Sequence, residues 1–355
     1  MSIRTSTPAV DRRHGGTGPE GLIDFSTSIN PFGPPPEALA ACRDAVAKIS
    51  IYPPPYPHAL EKRIAAWLGI NSKCVLAGNG SVQLLYLLAR TLKFRSPWVV
   101  IPTFSEVVNA LIAAGSTPLA LHTTGEQHFR LTPTDISEAL QHSADAVLLG
   151  RPNSPTGHLL SFEETADIAA LCQQRDAWCV IDEAFIEFAD DPRSAVELIS
   201  SFPKLLVLRS LTKIFAIPGL RIGYVIGLPQ TVCVLRDAIE PWSVNAVAID
   251  VSSACLNVSP DFINSTREMI RSQRGKIEQE LGRSKCFQVF PSSANFVIFK
   301  ALAESHAGHF GQYLRAQGIL IRDLCTLPGC GRGYYRIGVR KSVDNTRLLT
   351  AAASF

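Results

Sequence analysis

Lys213 closes the run Ser210-Leu211-Thr212-Lys213, just after the apolar stretch Leu205–Leu208 and Arg209. A lysine amine attacks a carbonyl only when neutral, and neutrality requires desolvation or a neighbouring cation. Ile214, Phe215 and Ala216 provide apolar surroundings, and Arg221, in Pro218-Gly219-Leu220-Arg221, provides a cation. Ser210, Thr212 and Arg221 are also residue types that bind a phosphate. Asp182 ends a second apolar run, Trp178–Ile181. A carboxylate there is costly unless it faces a cation, and a protonated aromatic ring nitrogen is one such partner. A third segment, Gly78-Asn79-Gly80-Ser81, feeds the helical run Val82–Arg90. A glycine-rich turn opening a helix presents free backbone amides to an anion. A fourth, Arg151-Pro152-Asn153-Ser154-Pro155-Thr156-Gly157, follows the apolar run Ala146–Leu149 and reads as a loop. Taken singly, a lysine after a strand, an aspartate capping a helix and a glycine turn are each commonplace. Their shared placement at the ends of apolar runs gives them weight.

Those runs predict the elements that deliver the four segments. Strands are expected at Cys74–Ala77, Trp98–Ile101, Ala146–Leu149, Trp178–Ile181, Leu205–Leu208 and Ile222–Ile226. Helices are expected at Ser81–Leu92, Ser105–Ala114, Phe162–Arg175 and Thr231–Ile239. This alternation predicts an α/β fold with a large, mostly parallel sheet covered by helices on both faces. Ligands of such sheets bind beyond the carboxyl ends of the strands. After about residue 245 the pattern changes to a long polar helix, Pro260–Arg283, then a strand (Asn295–Phe299), a helix (Gly308–Gln317), a strand (Tyr335–Val339) and a last helix. We expect a large domain over residues 46–244. A smaller α/β domain is expected from residues 245–355, with the Pro- and Gly-rich residues 1–45 wrapped onto it.

Composition narrows the function classes. Of the 355 residues 46% are hydrophobic and 18% charged, which places the chain with folded globular proteins. The net charge is +3 with basic residues scattered along the chain, so no nucleic-acid footprint is expected. Nine cysteines occur without a CxxC pair, so no metal site is expected and reduced core thiols in a cytoplasmic compartment are. The N-terminal residues lack an apolar core, which argues against a signal peptide. The most apolar long stretch, Trp98–Leu121, is broken by Pro102, Glu106, Gly115 and Pro118 and reads as strand, helix and strand rather than a membrane span.

In this order, the four segments resemble the aspartate-aminotransferase family of pyridoxal-phosphate enzymes, fold type I, over residues 14 to 350. The resemblance implies pyridoxal 5′-phosphate as cofactor, Lys213 as the lysine that carries it and Asp182 as the partner of its ring nitrogen. The amides at Gly80, Ser81 and Val82, with Ser210, Thr212 and Arg221, would bind its phosphate. Phe104, in Pro102-Thr103-Phe104, matches the aromatic that stacks on the cofactor ring. Tyr52, in Tyr52-Pro53, matches a tyrosine that reaches the cofactor phosphate of a neighbouring subunit, which implies a homodimer with shared sites. Two positions depart from the family pattern: Ser154 stands where an asparagine usually contacts the cofactor's phenolic oxygen, and Phe185 where a tyrosine is common. With fewer donors there, the lysine-linked cofactor is expected to titrate at higher pH than in typical members.

Within the family the chain is most similar to members that decarboxylate a phosphorylated amino acid in cobalamin synthesis. Aminotransferases acting on histidinol phosphate are the alternative. The stretches that favour the decarboxylases are His14-Gly15-Gly16, Asp24-Phe25-Ser26, Ile29-Asn30-Pro31, Leu208–Lys213, Pro241-Trp242-Ser243-Val244-Asn245 and Tyr334-Tyr335-Arg336 with Arg340. A dianionic head needs cations and hydrogen-bond donors. The candidates are His14, Arg322 and Arg340, with Ser28, Asn30 and Asn153 as neutral contacts. The resemblance puts His14 and Arg322 on the substrate phosphate and Arg340 on the substrate's anionic groups. The implied substrate is L-threonine O-3-phosphate or L-serine O-phosphate, giving aminopropanol phosphate or ethanolamine phosphate and carbon dioxide. If arginines hold the phosphate, the carboxylate can turn out of the cofactor plane and leave.

Overall fold

The computed structural model describes residues 10, 14–16, 18–142, 144–302 and 308–355. Within them the apolar runs pair into three sheets. The N-terminal strand β1 (Ile23–Asp24) stands apart from the largest sheet. That sheet contains β2 (Val75–Gly78), β3 (Pro97–Ile101), β4 (Leu119–His122), β5 (Ala146–Gly150), β6 (Trp178–Asp182), β7 (Leu205–Ser210) and β8 (Gly223–Ile226). Its spatial order is β2-β8-β7-β6-β5-β3-β4. Every neighbouring pair is parallel except those of β8, which runs antiparallel to both β2 and β7.

Burial on both faces explains the continuous apolar runs. Along β7 every residue is buried, and alternate side chains enter two different cores. Leu205 and Val207 join the core that holds Ile136 and Ile168 of the helices Pro133–Leu140 and Phe162–Gln174. Leu206 and Leu208 join the core that holds Leu84 and Val108 of the helices Gly80–Leu92 and Ser105–Ala113. Helix Phe162–Gln174 starts with a reciprocal cap between Ser161 and Glu164. The helix Pro133–Leu140 and the helix Ala246–Cys255 were not among the expected elements. The first has only eight residues, too few for its periodicity to stand out, and its capping box of Thr132 and Asp135 is the signal that marks it.

The C-terminal lobe is an antiparallel sheet, β12 (Arg322–Asp323), β13 (Tyr334–Gly338), β10 (Phe296–Ala301) and β9 (Phe287–Phe290), in that order. The helix Pro260–Arg283 spans the predicted residues. β1 pairs in parallel with β11 (Ile319–Leu320), which ties the N-terminal segment to this lobe. Of that segment, residues 1–9, 11–13 and 17 lie outside the described residues. Cys42, Cys74, Cys172, Cys179, Cys233, Cys255, Cys286 and Cys330 are free. No single helix among the described residues is long and apolar enough to cross a membrane.

Candidate active site

Sheet direction decides which segments meet. The parallel strands β5, β6 and β7 deliver Ser154, Asp182 and Lys213 from their carboxyl ends. Because β8 is antiparallel, its beginning lies at that same edge, where Gly223 is opposite both Gly78 and Ser210. Arg221 and the Gly80 turn are thereby brought together. A cavity of about 900 Å³ opens at this edge, lined by Ser81, Val82, Phe104, Ser154, Asp182, Ser210, Thr212, Lys213 and Arg221 from the large sheet. His14, Ser28, Arg322 and Arg336 close it from the N-terminal segment and the C-terminal lobe.

Lys213 lies on the short helix Leu211–Ile214 that follows β7 directly, with Ser210 as its N-cap. Burial lowers the amine from 10.5 to about 8; the charges of Arg336 and Arg221 push the same way and Asp182 opposes them. The amine sits 5.9 Å from the centre of the Phe185 ring. Asp182 is raised from 3.8 to about 6 by burial, against an Ala184 amide bond and the charge of Lys213. One of its oxygens accepts from Ala184 N at 2.9 Å. An amine more readily neutral than an ordinary lysine therefore stands near a carboxylate that gains from any added cation.

The pyridoxal 5′-phosphate implied by the resemblance fits three features of this cavity. The first is a phosphate cradle, where the 13-residue helix Gly80–Leu92 has no side-chain cap at Asn79. Gly80 has φ +81°, and a Cβ on it would lie 2.6 Å from the Arg221 guanidinium. A Cβ on Gly223 would lie 2.6 Å from Ser81 N, so the cradle admits only backbone at both positions. The second is the hydroxyl pair Ser210 and Thr212, 2.7 Å apart and opening into the same space. The third is Asp182, buried and in need of a cation. Lys213 would carry the cofactor and Phe104 would cover its ring.

Two expected outcomes follow from this geometry. Gly80→Ala forces a β-carbon into the left-handed region and onto Arg221, so cofactor affinity should fall about 10- to 100-fold. Equilibrium dialysis against pyridoxal phosphate reads this, and unchanged affinity would refute the cradle. The cofactor-free protein should also capture pyridoxal, which lacks the phosphate, at a rate that rises with pH up to about 8 and then levels, because that is where Lys213 loses its proton. At pH 7 the amine is neutral about 300 times more often than an ordinary lysine, from the two acidities. A rate still climbing beyond pH 9 would contradict the assignment.

Several sequence candidates fall elsewhere. Arg340 is not a cavity residue. β13 ends at Gly338, and the backbone then turns toward the C-terminal helix. Its guanidinium pairs with Asp344 at 2.9 Å and donates to the Asp24 carbonyl at 3.0 Å. Arg336, four residues earlier and inside β13, takes the cavity position. It was missed because it sits in an apolar strand run, although an arginine inside such a run is itself a signal of cost that needs repayment. Asn30 is also outside the cavity. Its amide donates to the Ile214 carbonyl at 2.8 Å and to Thr266 at 3.0 Å, and its backbone N–H donates to the Lys213 carbonyl, so it braces the turn that carries the lysine. Asn153 is turned into its own loop, donating to the Pro102 carbonyl and to Thr156. Tyr52 is 85% exposed, away from this chain's cavity, with its ring 5.8 Å from that of Trp242.

Arg336 and Arg322 face each other across β13 and β12. Burial and the neighbouring Arg322 charge lower Arg336 from 12.5 to about 10, with Asp24 in partial opposition. Its Nη1 donates to Ser154 Oγ at 3.1 Å and its Nη2 to the Ser26 carbonyl at 3.0 Å, while its Nε, though buried, has no hydrogen-bond partner. Ser28 Oγ, also buried and on the cavity wall, has none either. The unpartnered Nε of Arg336 and Oγ of Ser28, with the Arg322 charge beside them, give this wall the character of an anion site.

The family model described as aminotransferase class I and II matches residues 20–353. The threonine-phosphate decarboxylase of Salmonella typhimurium is 32% identical over 337 residues, covering 95% of this chain and 92% of the relative. A putative threonine-phosphate decarboxylase of Caldanaerobacter subterraneus subsp. tengcongensis is 32% identical over 330 residues, covering 92% and 88%. The solved histidinol-phosphate aminotransferase of Clostridium acetobutylicum superposes with a TM-score of 0.86 at 27% identity, covering 94% of this chain and 98% of that one. The chain belongs to the aminotransferase class I and II family.

Proposed function

We propose that this enzyme uses pyridoxal 5′-phosphate to decarboxylate L-threonine O-3-phosphate, or L-serine O-phosphate, for the cobamide nucleotide loop. The observation that carries the reading is the pair Arg322 and Arg336. They are register partners on β12 and β13, and both line the cavity. A dianionic phosphate would meet both charges there, whereas a single carboxylate carries only one. With the phosphate held there, the substrate carboxylate would be left free to leave.

When bound, the cofactor supplies an electron sink for the pair released by the broken bond. Asp182 would keep the ring nitrogen of the bound cofactor protonated, which makes the sink effective. Phe104 would cover one face and exclude water there. The Lys213 amine, brought down to about 8 by burial, can both lose and regain a proton near physiological pH, and its protonated form would supply the proton to the substrate Cα. Ser28 and His14 add donors around the phosphate. The large domain of residues 46–244 contributes the cofactor groups, and the small domain closes on the substrate.

We place the active form in a homodimer. Ile49, Ile51 and Tyr52 are 70%, 66% and 85% exposed in the isolated chain, a cost that a second copy would remove. Tyr52 of each copy would then reach the other's cofactor phosphate. We assign the enzyme to the cytoplasm, in keeping with its eight free thiols.

The test is a product assay with L-threonine phosphate and L-serine phosphate, each with and without 2-oxoglutarate. Carbon dioxide release that ignores the keto acid supports decarboxylation. Glutamate formed without carbon dioxide would overturn it in favour of an aminotransferase.

A further inference from the structure

An anion-binding cavity should not have a bare carboxylate on its wall, yet Glu106 is there, buried and opening into the same space as Arg322 and Arg336. It sits in the first turn of the helix Ser105–Ala113, directly after Phe104. Both of its oxygens are engaged. Oε2 accepts from the Tyr86 hydroxyl at 3.0 Å, and Oε1 accepts from Asn109 Nδ2 at 3.2 Å and lies 3.3 Å from His14 Nε2. Asn109, one turn further along the helix, grips the backbone of the N-terminal segment twice: Val10 N donates to its Oδ1 at 2.9 Å, and its Nδ2 donates to the Val10 carbonyl at 3.1 Å. On the other side of His14, Gly16 N donates to Ser26 Oγ at 2.9 Å. The His14 ring rests 5.7 Å from the Phe104 ring.

Val10 and His14 are thus both fastened to the helix Ser105–Ala113, Val10 through Asn109 and His14 beside Glu106, and Gly16 is fastened to Ser26. We propose that Glu106 is a positioning residue. It fixes His14 over Phe104, so that the site presents the imidazole to the substrate phosphate rather than a bare carboxylate. Glu106 itself touches neither substrate nor cofactor. The phosphate half of this inference rests on the proposed function; the fastening of the segment does not.

Two readouts on the cofactor-loaded enzyme test it. Glu106→Gln keeps the size and an acceptor for Tyr86 but removes the charge. It should raise KM for L-threonine phosphate about 10- to 30-fold with kcat within about twofold, the worth of one charge-assisted hydrogen bond. Binding of unphosphorylated L-threonine, followed by the cofactor absorbance, should not change. His14→Asn should act to a similar degree, and the double variant should be no worse than either single one, because the two side chains work as a unit. Hydrogen–deuterium exchange at the hydrogen-bonded Val10 and Gly16 amides should accelerate in Glu106→Gln. Unchanged exchange, or losses that add across the two variants and strike both ligands alike, would overturn the proposal. Faster exchange in an enzyme that shows no preference for the phosphorylated substrate would uphold the positioning role and sink the proposed function instead.

Discussion

Lys213→Ala should fold, melt close to the parent temperature and release carbon dioxide from L-threonine phosphate about 10⁴-fold more slowly. The loss is large because the proposed function gives the amine two tasks: carrying the cofactor and moving a proton at the substrate Cα. The fold should survive because no strong bond depends on the side chain. Its amine stands 5.9 Å from the centre of the Phe185 ring, and burying the ammonium opposes its charged form. Lys213→Arg separates charge from nucleophilicity. It retains the cation but offers no neutral amine at any accessible pH, so it should be as inactive as the alanine variant. Borohydride treatment of the parent enzyme should fix the cofactor on the peptide containing Lys213, detected by mass, and neither variant should be labelled there. Label on another lysine, or activity within tenfold of the parent, would remove Lys213 from its assigned place.

Arg336→Met should lower kcat/KM for the phosphorylated substrate about 10²- to 10³-fold, roughly 3–4 kcal/mol, the usual cost of cutting one partner from a desolvated charge pair. The same variant should not lose thermal stability. Burial and Arg322 both oppose the charge on Arg336, and its Nε has no partner, so an apolar side chain of similar volume relieves the free protein. Arg340→Met gives the opposite pattern. Its pairing with Asp344 is partly exposed and worth at most about 1 kcal/mol, so kcat/KM should stay within about threefold and only the melting temperature should drop slightly. Steady-state kinetics and a thermal melt on the two variants suffice. If Arg340→Met proved the inactive one, the assignment of the anion site to the β12–β13 pair would be wrong.

Two departures from the family pattern take on definite surroundings. Ser154 does not stand idle at the cavity, since its hydroxyl accepts from Arg336. Phe185 packs edge-on against Phe296, with ring centres 5.1 Å apart, and presents its face toward Lys213. Neither offers a rigid donor at the place where asparagine and tyrosine would. This keeps the expectation of a raised titration midpoint for the lysine-linked cofactor, readable from its absorbance against pH.

The sequence by itself determined the strands of the large sheet, to within about two residues, and the positions of Lys213, Asp182, Arg221 and the Gly80 turn. These are local facts. An apolar run must be buried, and a polar residue at its end must emerge at the sheet edge. Only the tertiary structure decided which residues share the cavity from the other side. Arg336 and Arg340 have the same parity along one strand pattern, and nothing local tells where β13 stops; its end at Gly338 puts one guanidinium in the site and the other on Asp344. Asn30 has the chemistry of a phosphate donor, but the turn after Lys213 and Thr266 of a distant helix consume its amide. Glu106 read as a break in an apolar stretch until Tyr86, Asn109 and His14 converged on it. Hydrophobic periodicity specifies elements because each one buries its own face. Side-chain partners across 92 residues, as for His14 and Glu106, are set by how the elements pack, and no local pattern records that.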